Sequence, residues 1–154
     1  MKDLRNQLLT VPRHLKDSIR AREDSEESLG QILEEKTKIL IVDDNALHCV
    51  ALKALLEQFG LEVDLCYNGF EAVRVIEDKV QKHQECHSLI FMDYNMPRLN
   101  GVEATKRIRQ LLADWPSIRQ PFICIMTETQ IGLVKEQAND VAVDDFLEKP
   151  FFKV

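Results

Sequence analysis

Lys38-Ile39-Leu40-Ile41-Val42-Asp43-Asp44-Asn45 is a nearly unbroken apolar, β-branched run that stops at two carboxylates. A strand with one wet face alternates polar and apolar residues. A continuous run is what a strand covered on both faces of a parallel sheet requires. Downstream, Leu47, Val50, Ala51, Ala54, Leu55 and Phe59 predict one apolar face of a helix, with Gly60 as its stop. Leu61-Glu62-Val63-Asp64-Leu65 alternates apolar with acidic residues, so a half-covered strand at a sheet edge is expected. Asn68 and Glu71 have capping-box spacing and open a helix through Ala72, Val73, Ile76 and Val80. Leu89-Ile90-Phe91-Met92 and Phe122-Ile123-Cys124-Ile125-Met126 read as further buried strands. Between them Asn100-Gly101-Val102-Glu103 opens a helix carrying Val102, Ile108 and Leu112. A weaker helix spans Ile131 to Asn139, and Asp145-Phe146-Leu147-Glu148 closes as a short strand. Strands alternating with helices at this spacing mean an α/β fold, a doubly wound five-stranded parallel sheet with right-handed crossovers.

The polar residues fall where these strands end. The first ends in Asp43-Asp44, the third in Asp93, the fourth in Thr127, and the fifth in Lys149-Pro150. Open α/β sheets place their sites outside the carboxyl ends of strands, at a topological switch point. The second strand ends in Cys66-Tyr67 and adds no charged group to the set; a strand order 2-1-3-4-5 leaves it at the edge and brings the other ends together. One aspartate after a strand is ordinarily a turn or cap residue; the coincidence of all four ends is what points to a site. Carboxylates within a few ångströms repel by roughly 4 kcal/mol per pair at an effective dielectric of 20. They call for a cation, and oxygen donors select Mg2+ or Mn2+, since neither Cys nor His occupies these strand ends. An ammonium and a hydroxyl beside that cation can hold further oxygens of a tetrahedral anion. The set therefore describes phosphoryl transfer, with Asp93 on the central strand as nucleophile. Lys149-Pro150 is a candidate cis peptide that aims the amine inward.

Composition narrows the rest. A chain of 154 residues and 17.8 kDa has room for one compact domain without disulfide or metal staples. A net charge of −6 argues against a general nucleic-acid surface. No apolar run approaches a membrane span and no leader opens the chain, so a cytoplasmic protein with free, buried Cys49, Cys66, Cys86 and Cys124 is expected. Residues 1–36 read as a helical extension or linker. Leu4, Leu8, Val11 and Leu15 form a narrow stripe interrupted by Pro12, and Ser28-Leu29-Gly30-Gln31 looks like a capping box. Residues 37–154 hold the α/β domain. His83, Cys86 and His87 lack a fourth ligand at zinc-site spacing and read as a surface loop, and His48 reads as a polar helix residue near the site mouth.

In combination, Ile41-Val42-Asp43-Asp44-Asn45, Phe91-Met92-Asp93-Tyr94-Asn95-Met96-Pro97 to Gly101, Thr127 and Asp144-Asp145-Phe146-Leu147-Glu148-Lys149-Pro150-Phe151 resemble the receiver domain of two-component response regulators. The Asp-Asp-Asn opening and Gly101-Val102-Glu103-Ala104 look most like receivers of hybrid sensor histidine kinases. The resemblance implies a flavodoxin-like sheet and a phosphorelay role, in which Asp93 accepts a phosphoryl group from a histidine kinase or a histidine phosphotransfer protein. It implies Mg2+ held by Asp44, Asp93 and the backbone carbonyl of Asn95, with Asp43 helping through water. Lys149 would pair with the phosphoryl group, Thr127 would be the switch hydroxyl and Phe146 the aromatic switch. Such a module is not a turnover enzyme; it catalyses only its own phosphorylation and dephosphorylation. The competing readings are a phosphate-independent pseudo-receiver that serves as an interaction domain, and a dehalogenase-like phosphatase. The phosphatase reading is weakened by the adjacent aspartates and the absence of a cap domain.

Three departures stand out. Glu128 follows the switch threonine where a small residue is usual, which implies slower phosphorylation or a shorter-lived phosphoaspartate by like-charge repulsion. Ala142 stands where such domains carry Gly, at a cost of about 1 kcal/mol if the position needs a positive φ. The family continues into a final helix, whereas this sequence stops at Val154. An exposed sheet face is then expected, covered by the N-terminal helices, by a partner or by self-association.

Overall fold

The computed structural model describes residues 38–150. Strands β1 (Lys38–Val42), β2 (Glu62–Cys66), β3 (Leu89–Asp93), β4 (Phe122–Thr127) and β5 (Asp145–Glu148) form one parallel sheet in the order β2-β1-β3-β4-β5. Helices α1 (Ala46–Glu57), α2 (Gly69–His83), α3 (Gly101–Ala113) and α4 (Ile131–Gln137) connect them. The flavodoxin-like order is the expected one, with acidic, alternating β2 at the edge.

Register aligns the apolar runs across the sheet. Leu40 pairs with Ile90 and Ile90 with Ile123, and all three face a core built with Ile76 and Val80 of α2, Ile108 and Leu112 of α3, and Val134 of α4. The opposite face carries Ile39, Ile41, Phe91, Cys124 and Met126, against Cys49 and Leu52 of α1. On this face Cys124 and Met126 are buried and Phe122 and Leu147 half-buried. The expected extension 1–36, with its leucine stripe and capping box, lies outside the described residues, as do residues 151–154.

Asparagine starts three of the helices. Asn45, Asn68 and Asn100 accept from the backbone N–H groups of Leu47, Glu71 and Glu103 at 3.0, 2.8 and 2.9 Å. Glu71 and Glu103 add favourable negative charge in the first turns of α2 and α3. Gly60, at φ +78°, stops the chain after α1 as read from the sequence.

Three expectations need correction. The buried stripe of α1 is Cys49 and Leu52 with half-buried Leu55 and Leu56, whereas Leu47, Val50, Ala51, Ala54 and Phe59 are exposed. This helix is apolar nearly all round, so periodicity alone offers two stripes, and the Cys49 Sγ contact to the Asp43 carbonyl at 3.3 Å orients it. Ala142 is not among the described residues with positive φ, Gln84, Arg98 and Gly60, and so carries no left-handed strain. His87 is buried rather than on a surface loop.

The His87 ring packs beside β2 and α2, where its Nε2 lies 2.8 Å from Asp64 Oδ2 and Lys79 Nζ lies 3.1 Å from the same oxygen. Its Nδ1 has no hydrogen-bond partner among the described residues. Burial pushes the imidazole below its ordinary value, with nearby Lys79 and Lys38 adding to that and Asp64 opposing it. A base depressed in the fold leaves stability intact above its unfolded value of about 6.5 and loses it as pH falls further. Denaturant melts should therefore show stability declining from about pH 7.5 to about pH 5.5, with a smaller decline in His87→Gln. Identical slopes for the two chains would remove His87 as the cause.

Candidate metal and phosphoryl site

The carboxyl edge of the sheet gathers Asp43 and Asp44 from the end of β1, Asp93 from β3 and Lys149 from the residue after β5. Asp43 and Asp93 are 1% and 4% exposed, whereas Asp44 faces solvent. Their ligand oxygens lie within 4.8 Å of one another. Asp43 is fixed from two sides: Oδ1 accepts from the Asn45 backbone N–H at 2.8 Å, and Oδ2 accepts from Lys149 Nζ at 2.7 Å. The same ammonium donates to Asp93 Oδ1 at 2.8 Å. It is aimed there by the Lys149 N–H bond to the Thr127 carbonyl at 2.8 Å, next to a cis Lys149–Pro150 bond.

The protonation of Asp93 reflects this crowding. Burial pushes its carboxyl up to about 6, with Asp43 and Asp44 adding repulsion and Lys149 pulling the other way. An oxygen-only donor set with excess negative charge fits a hard divalent cation. A cation also relieves the repulsion that raises Asp93.

Asp43, Asp44, Asp93, Asn95 and Lys149 line one pocket. Thr127 and Phe146 do not line it. Thr127 is fully buried, and its hydroxyl accepts from the Thr129 N–H at 2.9 Å and donates to the Thr129 carbonyl at 3.3 Å. Phe146 is half-buried against the α2–α3 core, with Lys135 Nζ of α4 5.5 Å from its ring centroid. Tyr94 ties the loop after Asp93 to α4 through a hydrogen bond to Gln137.

Two further residues reach the pocket. His48 lines it, with Nδ1 3.3 Å from Asp43 Oδ2. The signal was positional, because side chains in a first helical turn lean back toward the preceding strand end. Glu128 lines the pocket as well and is exposed.

A parallel sheet in this order, with buried aspartates clasped by a lysine at its switch point, defines a receiver-type signalling module. A family profile for the response regulator receiver domain matches residues 39–153. The chain belongs to that family. Hybrid signal transduction histidine kinase K of Dictyostelium discoideum is 32% identical over 120 residues, covering 74% of this chain but 9% of that kinase's length. Two-component response regulator 24 of Arabidopsis thaliana is 32% identical over 129 residues, covering 84% of this chain and 85% of that protein. The receiver domain of the Arabidopsis thaliana histidine kinase CKI1, solved in complex with Mg2+, superposes with a TM-score of 0.65. It is 26% identical and covers 73% of this chain and 83% of that one. The hybrid-kinase likeness read from the sequence thus stands. Among the described residues no helix is long and apolar enough to cross a membrane.

Proposed function

We propose that residues 37–154 act as a phosphoacceptor module of a phosphorelay and that residues 1–36 are an appended helical segment. Asp93 takes a phosphoryl group from a phosphohistidine on a histidine kinase or a histidine phosphotransfer protein. An Asp93 carboxylate oxygen attacks phosphorus, the P–N bond breaks, and the imidazole nitrogen leaves with a proton from solvent. The observation that carries this reading is a buried carboxylate held 2.8 Å from a lysine amine inside an acidic triad.

Asp44, Asp93 and the Asn95 carbonyl would hold Mg2+ (or Mn2+), with Asp43 in support. When bound there, the ion would neutralise charge on the phosphoryl oxygens. Phosphorylation removes the carboxylate charge on Asp93, so Lys149 is free to pair with a phosphoryl oxygen instead. Thr127 would leave its bonds to Thr129 to reach another, and Phe146 would follow into the space vacated. Leu47 and Val50 of α1, 78% and 56% exposed beside the pocket, support docking of an apolar helix of the donor protein. Four free cysteines, three of them buried, suit the reducing cytoplasm in which we place the chain.

Intact mass after incubation with Mg2+ and a small phosphodonor tests the reading. One added phosphoryl group is expected in the native chain and none in Asp93→Asn. A folded, Mg2+-binding native chain that gains nothing would favour a phosphate-independent interaction domain.

A further inference from the structure

The pocket holds one more negative group than the proposed chemistry uses. Three aspartates set against Lys149 and a bound divalent cation come to neutrality, and Glu128 leaves the loaded pocket one charge negative. Glu128 sits directly after β4 at the pocket's exposed rim. Among the described residues it has no ion-pair or hydrogen-bond partner. Lys149, by contrast, is 7% exposed and already engaged with Asp43 and Asp93. A phosphoryl dianion entering this pocket is therefore exposed to the uncompensated charge of Glu128.

We propose that Glu128 selects the phosphodonor: it disfavours donors that arrive as bare dianions and favours donors carrying a positive charge beside the phosphorus. A protein phosphohistidine flanked by a lysine or arginine meets that description, and Glu128 would then be the partner of that cation. The inference rests on the phosphoacceptor reading above and goes beyond it by naming the charge of the donor. Specificity of this kind is a difference between two donors, and a repulsive element is an economical way to build it. Because Glu128 is exposed, its field acts through a water-like dielectric. The selection is then several-fold and sensitive to salt.

Two small donors isolate the effect. Acetyl phosphate carries two negative charges near neutrality; Asp93 attacks phosphorus, the P–O bond breaks and acetate leaves. Phosphoramidate is a zwitterion with an ammonium on phosphorus; the P–N bond breaks and ammonia leaves. Initial rates of phosphoryl uptake are measured at saturating Mg2+ for the native chain, Glu128→Gln and Glu128→Ala. At low salt, Glu128→Gln is expected to accelerate uptake from acetyl phosphate about threefold to tenfold and from phosphoramidate less than about twofold. The gain should shrink between about 0.05 M and about 0.5 M salt. Equal acceleration with both donors, or none with either, would overturn donor selection. Acceleration in Glu128→Ala but not in the isosteric glutamine would assign the effect to bulk and overturn it too. Uptake from neither donor by any folded variant would instead sink the phosphoacceptor reading, and this inference with it.

Discussion

Replacing Lys149 with methionine is expected to destabilise the metal-free fold by about 3 kcal/mol, and Mg2+ to restore much of that loss. Asp43 and Asp93 are both nearly inaccessible to solvent, and the Lys149 ammonium bridges them at 2.7 and 2.8 Å. Methionine preserves the length and apolar stem of the side chain but leaves two buried carboxylates facing each other. Breaking a buried ion pair on one side is costly because the remaining charge has lost both water and partner. The chain's cheapest response is to keep a proton on Asp93. Even with the lysine present, burial raises that carboxyl from 3.8 to about 6; without it the value climbs further. A carboxyl raised in the fold contributes stability at low pH that is lost as pH rises through its folded value. The deficit of Lys149→Met should accordingly be largest near pH 8 and narrow toward pH 5. Urea melts in EDTA and in Mg2+ at the two pH values provide the measurement. Equal stability of native and variant in EDTA at pH 8 would mean that Lys149 does not hold this site together.

This electrostatic core was legible before any geometry, because its members are punctuation marks on apolar runs. Ile41-Val42 stops at Asp43 and Leu89-Ile90-Phe91-Met92 stops at Asp93, and pairing β1 with β3 brings those stops together. The asparagine caps at Asn68 and Asn100 were legible for the same reason, as a local signal with a local cause. What escaped was whatever depended on how an element is rotated. The α1 sequence is apolar on most sides, so nothing local told Cys49 and Leu52 from Leu47 and Val50; the sheet made that choice. His48, read as lying near the site mouth, does line the pocket, and only its contact with Asp43 depended on that rotation. The burial of His87 left no trace in local spacing, because its partner, Asp64, lies on a different element. Thr127 and Phe146 were placed on the right strands, but their side-chain directions depend on contacts with Thr129 and Lys135 that no motif encodes.

Gly101→Ala is expected to cost about 3 kcal/mol of stability and to weaken Mg2+ binding by about tenfold. A Cβ at this position would lie 2.3 Å from the Asp93 carbonyl oxygen and 3.1 Å from Met92 Cγ. The first obstacle is backbone, so no side-chain rotation relieves it, and either α3 or the end of β3 must move. Gly101 also closes the loop that begins at Asp93, through its N–H bond to the Tyr94 carbonyl at 3.0 Å. That loop contains Asn95, whose carbonyl is the proposed third metal ligand, so a shift that relieves the clash displaces two ligands at once. Gly132 offers the contrast, since a Cβ there meets nothing within 4 Å and the residue lies in α4. Gly132→Ala should gain about 0.5 kcal/mol from helix propensity and leave Mg2+ affinity unchanged. Urea melts and Mg2+ titration followed calorimetrically on both variants separate the two contributions. If Gly101→Ala lost stability but bound Mg2+ as tightly as the native chain, the strain would have been absorbed by α3. The loop from Asp93 to Asn95 would then be held by the sheet, by Lys149 and by the Tyr94–Gln137 bond to α4, and the close approach of α3 would serve packing rather than the site.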